Sequence, residues 1–207
     1  MEKMGQKSLD WKSFALLIID VQNDFWTSDL AQQFPQFPGN ITQLFNFCRA
    51  EGIEIIHIRA IFMPDMSDWM VRFILRKGIP CVEGTIGAEV TPFAQELPDE
   101  KVIIKHTFDG FLTSELLPYL KQAQKRFVLV AGLVTSTCVL FTTASAAQTG
   151  FLTAVVEDCC ADEPSAHQQT LDRYRFIFDT TNVDLIPDRY PDWLAALNKL
   201  SESDFRS

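Results

Sequence analysis

The fold is decided by one stretch, Phe127-Val-Leu-Val-Ala-Gly132-Leu-Val-Thr-Ser-Thr-Cys138. Residues 127–130 form an apolar run with the length and composition of a buried strand, and the small residues 131–137 predict a turn after it. Cys138 then stands where a helix rich in small residues begins, and Gly150 ends that helix. A helix N-terminus offers free N–H groups and the positive end of the helix dipole, which together stabilise a thiolate. The turn alone leaves two interpretations of Cys138 about equally open, a nucleophile and a small buried residue.

Apolar runs and amphipathic segments alternate on both sides of this stretch. The runs that predict strands are 14–21, 53–59, 101–105, 127–130 and 152–158, with one or two short strands within 176–179 and 183–186. The segments that predict helices are 40–51, 69–76, one from about 113, one from 163 and 190–200. This alternation predicts an α/β fold, a three-layer α/β/α sandwich around a mostly parallel, roughly six-stranded, doubly wound sheet. The irregular insertion 62–92 is the kind of segment in which binding specificity usually resides.

The composition is that of a globular protein. With 207 residues, 47% hydrophobic and 22% charged, the chain is long enough to bury about 70% of its unfolded surface. We therefore expect one domain over 1–207, with residues 1–12 and 201–207 as tails. The first residues lack the apolar core of a signal peptide, and no apolar run approaches the ~18 residues of a membrane span. We expect a cytoplasmic protein.

Charge and cysteine content restrict the partners. The formal net charge of −9 argues against nucleic acid and against an anionic membrane surface, which both select basic patches. A small-molecule substrate remains compatible with this charge. The five cysteines, at 48, 81, 138, 159 and 160, form no CxxC pair and no zinc-like spacing, so we expect reduced thiols.

Three chemically active residues follow three of the predicted strands. Asp20 ends the first, Lys105 ends the third and Cys138 follows the fourth, so all three are expected at the carboxyl edge of the sheet. Singly, such an acid is often a cap and such a lysine is often solvated, but their conjunction with Cys138 favours a catalytic site. Convergence is easiest in the strand order 2-1-3-4-5. The order 3-2-1-4-5-6 is the alternative if a short extra strand lies within residues 60–100.

Four segments in sequence order resemble the isochorismatase-like cysteine hydrolases. They are Leu17-Ile-Ile-Asp20-Val-Gln22-Asn-Asp-Phe25, Val102-Ile-Ile-Lys105, Gly132-Leu-Val-Thr-Ser-Thr-Cys138-Val and Val155-Val-Glu-Asp158. The resemblance spans about residues 14–186 and implies a catalytic triad of Asp20, Lys105 and Cys138. It also implies a cis peptide between Leu133 and Val134, an oxyanion hole from the amides of Val134 and Cys138, and a homo-oligomer, dimer or tetramer. Ser145 departs from the family, which often has an acid there, and we expect this to affect packing more than chemistry.

The resemblance does not extend to the metal site of some family members. Nicotinamidases of the family bind zinc or a similar ion through an Asp-x-His…His set after the second strand, and residues 57–65 lack that spacing. The three histidines, at 57, 106 and 167, lie on different segments and favour structural roles. We expect no metal and no cofactor.

Three functions stay open on the sequence. The favoured one is a metal-independent cysteine hydrolase that cleaves a C–N bond of a small amide, ureide or carbamoyl substrate through a thioester. The alternative is isochorismatase-type vinyl-ether hydrolysis with Asp20 as general acid, and the least favoured is a non-catalytic interaction protein. If the substrate carries a carboxylate, we expect Arg59, Arg72 or Arg76 to pair with it. The candidate substrate contacts are Gln22, Phe25, Trp26, Arg59, Trp69, Phe108 and Phe111. For the aromatic members of this set, packing in the core is an equally open interpretation.

Overall fold

A sheet of six parallel strands forms the centre of the protein, whose computed structural model describes residues 10–202. The strands are β1 (Phe14–Ile19), β2 (Glu54–Ala60), β3 (Lys101–Lys105), β4 (Phe127–Leu133), β5 (Leu152–Ala161) and β6 (Asp179–Thr181). Every residue of β1 and β4 is buried, because helices cover both faces of the sheet. Such strands are apolar at every position rather than at alternate positions. The predicted three-layer α/β/α sandwich is confirmed.

Within residues 10–202, seven α-helices connect the strands and cover the sheet. They are α1 (Ser28–Gln33), α2 (Phe37–Glu51), α3 (Val71–Arg76), α4 (Leu116–Gln122), α5 (Leu140–Gln148), α6 (Pro164–Arg173) and α7 (Ile186–Glu202). None of these helices is both long enough and apolar enough to cross a bilayer. Glu163 caps α6 as the sequence predicts, since its side chain accepts the N–H of Ala166.

Two elements differ from the prediction because of local turn chemistry. Helix α2 begins at Phe37 rather than after Asn40, with Pro38 in its first turn. Proline is tolerated there because N–H groups of the first turn have no acceptor within the helix, so the missing N–H costs no hydrogen bond. The side chain of Asn40 instead donates to the carbonyl of Asp158, at 2.8 Å. Residues 183–185, predicted as a short strand, form a 3₁₀ turn that leads into α7.

The strand order is β3-β2-β1-β4-β5-β6, so the simpler order 2-1-3-4-5 is wrong. The alternative order is correct, but its sixth strand is β6 near the C-terminus, and residues 60–100 add no strand to the sheet. Strand β2 therefore separates β3 from β1, and β3 is an edge strand.

Helical structure extends into both of the predicted tails, 1–12 and 201–207. Trp11 forms a 3₁₀ turn and stacks on Tyr190, with ring centroids 3.9 Å apart, so the fold begins within the predicted tail 1–12. Helix α7 continues to Glu202. Residues 1–9 and 203–207 lie outside the described residues.

Candidate active site

Asp20, Lys105 and Cys138 meet at the carboxyl edge of the sheet. The Lys105 ammonium lies 2.7 Å from Asp20 Oδ2 and 3.6 Å from Cys138 Sγ. Its third contact is the carbonyl of Thr107, at 2.9 Å, so three polar groups surround the ammonium. Asp20, Lys105 and Cys138 are 0%, 1% and 5% exposed, so these interactions form almost without water.

Lys105 reaches Asp20 across an intervening strand. Adjacent strands lie about 4.8 Å apart, and only a long side chain spans two such spacings. The residue of β2 paired with Lys105 is Ala60, and both residues line the same cavity. The small side chain of Ala60 leaves room for the stem of Lys105, which explains how the residues converge in a strand order that places β3 away from β1.

The chain turns sharply where Asp20 follows β1. Asp20 has a φ of +50°, a left-handed conformation that aspartate tolerates better than most residues. Its N–H donates to the carbonyl of Ile58 on β2, and its own carbonyl accepts the N–H of Gln22 at 2.8 Å. These bonds hold the carboxyl group at the end of the strand, close to β2.

Cys138 lies in a one-turn π-helix, Thr135–Val139, between β4 and α5. The peptide between Leu133 and Val134 is cis, as the family resemblance implies. Just before it, Gly132 has a φ of +124°, and a Cβ there would lie 2.0 Å from the carbonyl oxygen of Ile19. Only glycine permits this approach of β4 to β1.

Hydrogen bonds fix the turn that carries Cys138. The N–H groups of Thr137 and Val139 both donate to the carbonyl of Val134, at 3.1 and 3.3 Å. Asp162 Oδ2 accepts both the N–H and the hydroxyl of Ser136, at 2.8 and 2.6 Å. Asp162 thereby ties the turn to the start of α6.

Burial and mutual charge shift the pKa of all three groups. Burial raises the pKa of Asp20, although the nearby Lys105 ammonium opposes this. Burial also raises the pKa of the Cys138 thiol well above its usual range, and the Asp20 charge adds to this. Burial alone would lower the pKa of Lys105, but the negative charge beside it raises that pKa above its ordinary value. The site therefore holds one cation and accommodates a single negative charge beside it.

A cleft of about 260 Å³, open to solvent, ends at Cys138 and Lys105. The insertion after β2 provides five of its apolar lining residues, namely Phe62, Met70, Phe73, Ile79 and Pro80. The sequence indicated the segment but did not identify these residues, whose only signal is apolar character within an irregular stretch.

Among the predicted substrate contacts, Phe25 and Phe108 line the cleft. Trp26 does not, because it stacks on Phe37 at 4.7 Å in the main core. Trp69 packs against the small apolar cluster of the insertion, and its indole N–H donates to the carbonyl of Met63. Phe111 packs in the main core near Phe151. These three aromatics do not line the cleft, and each packs against an apolar cluster of the fold.

The two polar candidates lie outside the cleft. Gln22 is fully buried, and its amide group donates to the carbonyls of Ala60 and Ala88 and accepts the N–H of Ala60. It joins the end of β1 to β2 and to the insertion. Arg59 points away from the cleft and pairs with Glu96. Both predictions fail because these side chains already have partners within the fold.

Each histidine also has a partner within the protein. His57 Nε2 lies 2.9 Å from Glu100 Oε2, His106 Nδ1 lies 2.9 Å from Asp68 Oδ2, and His167 Nδ1 lies 2.8 Å from the hydroxyl of Thr135. Within residues 10–202, no three His, Cys, Asp or Glu side chains are grouped as metal ligands. The donor set thus does not fit the zinc site of the nicotinamidases. Ser145, which replaces the frequent family acid, hydrogen-bonds to Asp109.

Comparisons with known proteins agree with this geometry. A model of the isochorismatase domain matches residues 14–182. The uncharacterized isochorismatase family protein YddQ of Bacillus subtilis (strain 168) is 28% identical over 149 residues, 71% of this chain and 77% of the relative. A maleamate amidohydrolase of Pseudomonas putida is 27% identical over 168 residues, 78% of each chain.

A probable inactive nicotinamidase of Arabidopsis thaliana is 24% identical over 195 residues, 88% of this chain and 95% of the relative. Among solved structures, an isochorismatase family protein of Desulfovibrio vulgaris superposes with a TM-score of 0.79 at 26% identity. That match covers 86% of this chain and 98% of the other. The domain match spans far more than half of the sequence, so the chain belongs to the isochorismatase family of hydrolases.

Proposed function

We propose that this chain is a metal-independent cysteine hydrolase that cleaves a C–N bond of a small amide, ureide or carbamoyl substrate. One observation carries the proposal: the Lys105 ammonium touches both Asp20 Oδ2 and Cys138 Sγ at the end of a cleft. A thiol placed there can exchange its proton with a carboxylate while the cation keeps one negative charge beside it. The name of the maleamate amidohydrolase relative supports C–N cleavage.

In the first half of the reaction, Asp20 accepts the thiol proton and Cys138 becomes a thiolate. The raised pKa of Asp20 suits this, because a more basic carboxylate takes the proton more readily. The sulfur attacks the carbonyl carbon, a C–S bond forms, and the carbonyl oxygen gains the negative charge. The family resemblance implies the amides of Val134 and Cys138 as its hydrogen-bond donors. The amides of Ser136, Thr137 and Val139 have acceptors within the turn and its neighbours, which is compatible with this assignment.

In the second half, the C–N bond breaks and Asp20 returns its proton to the leaving nitrogen. The product is a thioester on Cys138 and a free amine or ammonia. Asp20, again a carboxylate, takes a proton from water, which attacks the thioester. The C–S bond then breaks, Sγ recovers a proton, and the free acid leaves.

The test is a screen for ammonia release from ureides, carbamates and amides, with isochorismate alongside. We expect turnover of at least one C–N substrate, a loss of at least about 1,000-fold in Cys138→Ala, and an acyl adduct on Cys138 in the mass spectrum of the wild type. Full turnover of the same substrate by Cys138→Ala would contradict the covalent mechanism.

Vinyl-ether hydrolysis is the second candidate, and one observation favours it. Burial raises the pKa of Asp20, which also favours the protonated carboxyl group that a general acid needs. This reaction requires no thiol. It predicts that Cys138→Ala hydrolyses isochorismate normally while Asp20→Ala does not.

A non-catalytic role has support only from the relative that is called probably inactive. Under the cysteine mechanism, a small alkylating agent should modify Cys138 faster than Cys48 or Cys81. Those two thiols are fully buried, and burial raises the pKa of each, so they serve as internal controls. Equal rates at the three cysteines would favour the non-catalytic role.

A further inference from the structure

Among residues 10–202, the walls of the cleft carry no available positive charge. Lys105 is the one charged residue of this range that lines the cleft, and its ammonium already contacts Asp20, Thr107 and Cys138. The hydroxyl of Thr107 donates to the carbonyl of Asp109, at 2.8 Å. The described part of the chain therefore offers the cleft no free cation with which a negative charge on the substrate could pair.

The cations nearby in the sequence are placed elsewhere. Arg59 pairs with Glu96 on the other side of β2. Arg72 and Arg76 lie on α3, but both are exposed and neither lines the cleft. His106, next to Lys105, is held by the carboxylate of Asp68. The prediction that one of the arginines binds a substrate carboxylate finds no support in this arrangement.

The remaining lining is apolar. Phe73 of α3 and Phe108 meet edge to face, with ring centroids 6.1 Å apart, and Phe25, Phe62 and Met70 complete the wall. A carboxylate placed against these side chains would lose its hydration and gain no partner, which is costly. An apolar group of the same shape would instead gain from leaving water.

We propose that this enzyme acts on electrically neutral amides whose acyl group is apolar, and that it rejects amides with a carboxylate on that group. The proposal rests on the proposed function, because it concerns the acyl group that Cys138 would attack. It makes Phe73 and Phe108 specificity-determining residues of the cleft.

The test compares two amides of nearly the same shape, succinamate and 4-methylpentanamide. The second has an isopropyl group in the position of the carboxylate of succinamate. We expect kcat/KM for the neutral amide to exceed that for succinamate by about 100-fold or more. Equal or faster hydrolysis of succinamate would overturn this inference and leave the proposed cysteine mechanism standing.

A binding measurement tests the same inference without turnover. Calorimetry on Cys138→Ala should show 4-methylpentanamide binding at least about 100-fold more tightly than succinamate. The order of these affinities decides the inference even if the protein hydrolyses neither amide. A lack of hydrolysis would count against the proposed function and not against this inference. Tighter binding of succinamate would overturn the inference.

A pair of variants locates the effect. Phe73→Arg places a guanidinium at the cleft and should raise the ratio of succinamate to 4-methylpentanamide hydrolysis by about 10-fold or more. Val71→Arg adds the same charge on the same helix, but Val71 is 73% exposed and does not line the cleft. It should leave the ratio unchanged. An equal change in both variants would contradict a role for the cleft wall.

Discussion

At the scale of single residues, Asp20 and Lys105 depend on each other for their burial. Each is almost completely removed from water, and each would be an unpaired buried charge without the other. Breaking such a pair by removing one partner costs about 3–5 kcal/mol, whereas removing both often costs little. A double-mutant cycle with Asp20→Asn and Lys105→Met should therefore show that the two losses of unfolding free energy are strongly non-additive. Additive losses in urea unfolding would show that the ion pair has no such role.

The Lys105→Met variant should also respond to pH. In the wild type, burial raises the pKa of Asp20 even with the ammonium nearby, and losing that ammonium raises it further. A raised carboxyl pKa means that the folded state binds the proton more tightly, so stability increases as the pH falls. As the pH falls from neutral towards the ordinary carboxyl range, Lys105→Met should regain unfolding free energy relative to wild type. Lys125→Met is the matched control: Lys125 is also buried, but its partner Glu54 is partly exposed, so no such recovery is expected.

The limits of sequence interpretation are also clearest for single residues. Asp20, Lys105 and Cys138 could be chosen because each follows a recognisable strand. The aromatics could not be separated, because Phe25 at the cleft and Trp26 in the core differ only in where the turn after β1 directs them. The sequence carries no periodicity there that would distinguish the two.

At the scale of elements, the contact between β4 and β1 constrains the turn that carries Cys138. Gly132→Ala would place a Cβ 2.0 Å from the carbonyl of Ile19 in a backbone conformation with φ of +124°. We expect a loss of stability of several kcal/mol and a displaced Cys138 turn. Gly39→Ala in α2 is the control, since nothing lies within 4 Å of its Cβ position. It should be neutral or slightly stabilising in thermal unfolding, and a neutral Gly132→Ala would contradict the predicted clash.

The link from α6 to the turn that carries Cys138, the proposed nucleophile, should affect catalysis more than folding. Asp162→Ala removes the acceptor for both the N–H and the hydroxyl of Ser136. We expect kcat to fall about 10-fold with little change in KM, because the turn is less well positioned. Asp158→Ala is the comparison: Asp158 accepts the N–H of Val183, away from the turn, and this variant should lose stability without losing kcat. A fall in Tm without a fall in kcat for Asp162→Ala would assign it a purely structural role.

Strands were easier to predict than their order. Buried parallel strands are continuous apolar runs, so β1 and β4 begin where the sequence indicated. The order of the strands in the sheet depends on how the crossover connections pack. Because the side chain of Lys105 is long, both predicted strand orders allow Asp20, Lys105 and Cys138 to meet. Phe37-Pro-Gly resembles a loop, yet a proline fits the first turn of a helix, so the start of α2 was misplaced.

At the scale of the whole molecule, Glu100 joins three parts of the fold. Its carboxylate binds Arg49 of α2 at 2.8 Å and His57 of β2 at 2.9 Å, immediately before β3 begins. Burial alone would raise the pKa of Glu100, but hydrogen bonds from Arg49, the N–H of Leu97 and His57 lower it to about 2. The folded state therefore favours the ionised carboxylate, and this stabilisation is present above about pH 4.5 and is lost as the pH falls towards 2.

Glu100→Gln tests this contribution. We expect the variant to be less stable than wild type by roughly 2–3 kcal/mol at neutral pH, and the difference should shrink as the pH falls from about 5 to about 3. Urea unfolding at several pH values measures it. A difference that stays constant over this range would show that the charge of Glu100 makes no contribution.

The position of Lys105 on an edge strand has a consequence for dynamics. Strand β3 pairs only with β2, so it can fray while β1, β4 and β5 stay folded. Each such opening would carry the ammonium away from Asp20 and leave the thiol without its neighbouring cation. Mild denaturant should then inactivate the enzyme at concentrations well below those that unfold the whole protein. Native-state hydrogen exchange at the amides of β3 should report the same opening. In this protein, the lifetime of the competent site would be set by a strand that has only one neighbour in the sheet.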